Sequence, residues 1–112
     1  MKNLIRHGDL LFRPVERPDK ALTPRKSKII LEGEVTGHAH RLDQGEAVIL
    51  DQYEKTWRSE EPKLRASYVH VTSPATVIHE EHHTVTLLPG LYEVIRAREF
   101  DYTAAAARNV RD

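Results

Sequence analysis

Cysteine is absent from the 112-residue chain, so disulfide frameworks, thiolate nucleophiles and cysteine-bound zinc knuckles are excluded. Net charge is absent too, because 17 Lys and Arg balance 17 Asp and Glu. Sequence-independent nucleic-acid binding usually leaves a basic excess, so net charge does not support that partner. Basic residues do gather locally, at Arg13, Arg17, Lys20, Arg25, Lys26 and Lys28 and again at Arg96, Arg98 and Arg108. Near-neutrality removes one barrier to self-association, and a homo-oligomer is the expectation. No apolar run approaches the roughly 18 residues of a membrane-spanning helix. Met1 to Leu11 lacks the apolar stretch of a secretory leader, so a cytoplasmic protein with no membrane partner is expected. G-x-S-x-G, Walker and G-x-G-x-x-G loops are missing as well, which leaves serine nucleophiles and loop-bound nucleotides without support.

What is present reads as one small all-β domain, a barrel or sandwich over residues 1–112, with 99–112 as a candidate docking tail. Short apolar or β-branched runs recur about every ten residues between turn signals. They fall at 10–15, 28–32, 46–50, 66–72, 76–79, 84–88 and 91–98, and residues 51–57 extend or pair with the third run. Residues 16–27, with Pro18 and Pro24, read as an exposed connection. Pro89-Gly90 is a strong turn signal, which makes 76–98 a hairpin pair. Thr103 is placed to cap a short helix over the four alanines from Ala104 to Ala107.

The chain contains 7 histidines, and their placement carries the chemistry. His38 and His40 are spaced i, i+2, so on a strand both rings point to one face while Ala39 faces away. Two such imidazoles can reach one ion at about 2.0–2.1 Å. The second cluster is His79-Glu80-Glu81-His82-His83. Read as a helix it matches the H-E-x-x-H zinc-protease pattern, but Thr76-Val77-Ile78 and Thr84-Val85-Thr86 flank it with β-formers. Read as extended chain, His79, Glu81 and His83 share one face. The expected metal ligands are His38, His40, His79 and His82, with His83 as a substitute for His82. Neutral imidazoles with a carboxylate suit zinc first, with iron or manganese as alternatives. His70 reads as structural or as a partner behind the metal ligands, and His7, beside Gly8 near the terminus, reads as exposed.

Glu80 or Glu81 is the candidate general base on a metal-bound water, or else a ligand or an orienting partner. Arg96 and Arg98 share a strand face and are candidates for holding a phosphate or carboxylate substrate. Two functions stay open. One is metal-assisted hydrolysis of a phosphorylated or nucleic-acid-derived substrate. The other is a non-enzymatic oligomeric accessory module whose histidines form a structural metal site or a subunit interface.

Gly33-Glu34-Val35-Thr36-Gly37-His38-Ala39-His40, His79-Glu80-Glu81-His82, Pro89-Gly90-Leu91-Tyr92 and Arg96-Ala97-Arg98-Glu99-Phe100 resemble an uncharacterised family of small bacterial and phage proteins. The resemblance runs from Gly8-Asp9 to Tyr102 and implies no activity. The arrangement is also loosely similar to a cupin, but it departs from that pattern. Four residues separate Gly33 from His38, Glu46 follows His40 by too many positions, and the second histidine cluster precedes the Pro-Gly turn.

Overall fold

The computed structural model describes residues 4–33, 37–58 and 60–97. Ten strands form: β1 (Ile5–His7), β2 (Leu10–Pro14), β3 (Thr23–Arg25), β4 (Ile29–Glu32), β5 (Ala39–Leu42), β6 (Glu46–Glu54), β7 (Lys63–Ser73), β8 (Ala75–Ile78), β9 (Val85–Leu87) and β10 (Gly90–Arg96). They make two antiparallel sheets, ordered β1-β2-β10-β7-β6-β3 and β4-β5-β8-β9. The molecule is a small all-β sandwich, and no helix forms among the described residues. The expected helix at Ala104–Ala107, the tail 99–112 and Arg98 lie outside the described residues.

Alternation explains which faces meet. Leu10 and Phe12, Ala47 and Ile49, Val69 and Val71, and Ala75 and Val77 are buried at period two, as strands with one face on the core require. With Ile30, Leu42, Leu87 and Tyr92 they form one cluster between the sheets. The chain changes sheet between β3 and β4, β5 and β6, β7 and β8, and β9 and β10.

One corner locks two of these crossings together. Asp43 N–H donates to the Thr76 carbonyl and Thr76 N–H to the Gln44 carbonyl, each at 2.9 Å. Gly45, at φ +91°, packs so closely there that a Cβ would stand 2.0 Å from the Pro74 carbonyl oxygen.

Two expectations are corrected. The connection 16–27 contains a strand, since Thr23–Arg25 pairs with Asp51, Leu50 and Ile49 of β6. Residues 84–88 and 91–98 do not form a hairpin through Pro89-Gly90. β9 pairs with β8, while β10 crosses to lie between β2 and β7. Proline fixes φ near −65° and so rules out the primed turns that suit two-residue hairpins. The turn becomes a corner between sheets, held by the Tyr92 hydroxyl donating to the Leu88 carbonyl at 2.7 Å.

Candidate metal centre

At one end of the sandwich, several inward-facing stripes change from apolar to polar together. On β5 the stripe runs back from Leu42 to His40 and then to His38. On β8 it runs from Ala75 through Val77 to His79, and on β10 from Tyr92 through Val94 to Arg96. On β1 it passes from Ile5, packed on the core, to His7. Register aligns these ends: Leu42 lies opposite Val77, which places His40 beside His79, and Leu10 lies between His7 and Arg96. Period-two patterning thus delivers the polar side chains to one place.

The rings of His7, His40, His79 and His82 pack as a group. Centroid separations are 4.5 Å for His40–His79 and His79–His82, 4.9 Å for His7–His40, and 5.8 Å for both His40–His82 and His7–His82. His40, His79 and His82 each present a ligand atom, all within 4.8 Å of one another. A second such group joins His38, His79 and Glu80. His38 Nδ1 is buried without a hydrogen-bond partner, and the nearest Glu81 carboxylate oxygen is 3.6 Å away.

Residues 79–84 are an irregular connection between β8 and β9, so the protease-like helix does not form. The bend brings His79 and His82 together and leaves His83 exposed. The backbone N–H of Glu81 donates to His79 Nδ1 at 3.0 Å, which puts the neutral ring's proton on Nε2, so His79 would give up this bond on taking a metal.

Glycine is required beside the rings. Gly8 turns β1 into β2 at φ +62°, and a Cβ there would meet His82 Nε2 at 2.6 Å and His40 Cε1 at 3.0 Å. This turn also explains the correction to His7. It is 2% exposed, because the tight turn folds β1 under His40 instead of leaving it at a free end.

The protonation states suit metal binding, which needs neutral imidazole. Burial and the neighbouring His40 and His82 push His7 down to about 4, against an opposing contribution from the His83 backbone. Burial also lowers His40, outweighing its hydrogen bond to Asp9. The Asp9 carboxyl is lowered although burial acts to raise it, because His40 hydrogen-bonds to it and Arg96 stands nearby.

The two glutamates separate in role. Glu80 accepts the Ala39 N–H at 2.9 Å and pairs with Arg41 at 2.8 Å. These contacts, the backbone one foremost, hold its carboxyl down to about 2. It ties the β8–β9 connection to β5. Glu81 stays exposed on the pocket rim.

An open pocket of about 310 Å³ lies over the rings, lined by His38, His40, His79, His82, Asp9, Glu81 and Arg96 among others. His70 is exposed on β7. The sequence reading missed His7 and Asp9. The available signal was the tripeptide His7-Gly8-Asp9, with a turn glycine between two possible donors.

Fold and site define an all-β sandwich with a multi-histidine pocket at one end. The chain belongs to a family described as a Domain of unknown function (DUF8820), whose model matches residues 6–97. That span includes the whole histidine cluster. No curated protein and no solved structure matches the chain.

Proposed function

We propose that this protein binds one divalent transition metal, zinc first, through His40, His79 and His82, and uses it to hydrolyse a small phosphorylated or nucleic-acid-derived substrate. The observation that carries the reading is the convergence of three imidazole donor atoms within 4.8 Å, two of them on half-buried or buried rings under an open pocket. Three protein ligands with a fourth position open are the pattern of catalytic zinc. The donors are nitrogen-rich, which suits zinc, iron or manganese and disfavours calcium or magnesium.

A metal in this position supplies a water whose pKa falls to about 7. Glu81, on the rim and free of the contacts that hold Glu80, is the base for that water. Arg96, half-buried and lining the same pocket, is the cation assigned to an anionic substrate in this reading. Glu80 acts through the backbone it anchors.

The test is elemental analysis of protein purified without a histidine tag, with Zn²⁺ titration and hydrolysis of bis(p-nitrophenyl) phosphate. The expected result is one metal per chain, held at least tenfold more weakly in His82→Ala. Glu81→Gln keeps the metal and loses turnover. Failure to bind Zn²⁺, Fe²⁺ or Mn²⁺ overturns the reading. Saturated binding without turnover on any phosphoester leaves the accessory module with a structural site.

A further inference from the structure

We propose that His7 is a positioning residue, which decides through a buried imidazole–imidazole hydrogen bond which nitrogen of His40 faces the pocket. This inference rests on the metal reading above and deepens it. His7 Nδ1 and His40 Nδ1 are 2.9 Å apart, so only one proton lies between them. The other nitrogen of His40, Nε2, is 3.1 Å from an Asp9 carboxylate oxygen, and Asp9 and His40 line the pocket whereas His7 does not.

Two arrangements satisfy the ring–ring contact with both rings neutral, and only the first also keeps the hydrogen bond to Asp9. In the first, His7 Nδ1–H donates to His40 Nδ1, and His40 Nε2–H donates to Asp9. His7 Nε2 is then a bare lone pair, and that atom is indeed buried with no hydrogen-bond partner. In the second, His40 Nδ1–H donates to His7 Nδ1, and His40 Nε2 presents its lone pair to the pocket. Only the second makes His40 Nε2 a ligand, and it requires an acceptor at His7 Nδ1. Passing from one to the other shifts the bridging proton from His7 to His40. His40 releases its Nε2 proton and His7 takes one at Nε2, so the pair's proton count is unchanged.

A carbon side chain in place of His7 would leave His40 Nδ1 with no acceptor for a proton. Its neutral ring would then keep the proton at Nε2, bonded to Asp9, and close that nitrogen to a metal. Partners of this kind usually change metal affinity by roughly 10–100-fold.

The experiment compares His7→Phe, His7→Asn and wild type by Zn²⁺ competition titration and by ring ¹⁵N NMR, with circular dichroism as the check on folding. An asparagine amide occupies nearly the place of Nδ1 and can donate or accept. His7→Phe is expected to lose roughly 10-fold or more in Zn²⁺ affinity and to hold His40 in the Nε2–H form. His7→Asn should stay within a few-fold of wild type. Zn²⁺-loaded wild type should show His40 protonated at Nδ1, with a ¹⁵N–¹⁵N coupling to His7 Nδ1 across the hydrogen bond. Equal losses in both variants, wild-type affinity in folded His7→Phe, or His40 liganded through Nδ1 would each overturn the proposal. The loaded wild-type spectrum decides alone if His7→Phe does not fold. If wild type takes up no Zn²⁺ but the coupling is present in the metal-free protein, the metal reading falls while the His7–His40 pairing stands.

Discussion

Replacing Gly8 with alanine separates the geometry of the metal centre from the stability of the fold. At φ +62° an L-residue costs about 1–2 kcal/mol relative to glycine. For a domain of this size that lowers the melting temperature by roughly 4–16 °C. The new methyl also stands 2.6 Å from His82 Nε2 and 2.7 Å from His82 Cδ2, well inside van der Waals contact. The His82 ring is exposed and swings away at little cost to the fold, but it leaves its place among the three donors. Gly37→Ala is the control: φ is +85°, and a Cβ there meets nothing within 4 Å. Both variants should melt earlier by similar amounts in the presence of chelator. In a Zn²⁺ titration, Gly8→Ala should lose at least tenfold in affinity, about 1.4 kcal/mol, while Gly37→Ala stays near wild type. Equal affinities in the two variants would refute the assignment of His82 and the crowding argument behind it.

Three further outcomes test the fold around the site. Gly45→Ala should destabilise by about 3 kcal/mol or more, because its Cβ would strike the Pro74 carbonyl at 2.0 Å and backbone cannot swing aside; chemical denaturation measures it. Arg25 forms a two-pronged contact with Asp51, at 2.6 and 2.9 Å, and Arg25→Ala should cost about 3–5 kcal/mol by leaving that buried carboxylate without its counter-charge. Burial raises the Asp51 carboxyl, but hydrogen bonds from Arg25 and Ser67 outweigh it and the net shift is downward from 3.8. Its stabilisation is therefore present above the ordinary carboxylate range and is lost as pH falls below about 3.8, an acid-limb loss that should vanish in Asp51→Asn. Tyr92→Phe should cost about 1 kcal/mol, read from thermal melts, by removing the 2.7 Å bond that holds the β9–β10 corner.

Much of the fold was legible because burial on one face writes itself as alternation. Val69 and Val71, Ala47 and Ile49, and Ala75 and Val77 all show it, and an all-β barrel or sandwich follows; the choice of sandwich rests on the strand pairing. Strand pairing was not legible at Pro89-Gly90, where a turn signal is the same for a hairpin and for a corner between sheets. Thr23–Arg25 hid as a strand because a proline-bearing three-residue edge segment has no alternation to read.

Of the site, the pairing of His40 with His79 follows from continuing the β5 and β8 stripes past their last core residues. His7 escaped because its strand has three residues and its burial depends on Gly8, whose positive φ is a property of the turn. Asp9 escaped for the same reason. Between Glu80 and Glu81 the sequence offers no distinction. Contacts to Ala39 and Arg41, 41 and 39 residues away in the chain, separate them.

X-ray absorption spectroscopy at the zinc edge, on untagged protein loaded with one equivalent of Zn²⁺, tests the central claim most directly. The account predicts three imidazole nitrogens at about 2.0–2.1 Å plus one light oxygen donor, falling to two imidazoles in His82→Ala. A spectrum of zinc ringed by water or carboxylate oxygens alone, unchanged by His82→Ala, would contradict it.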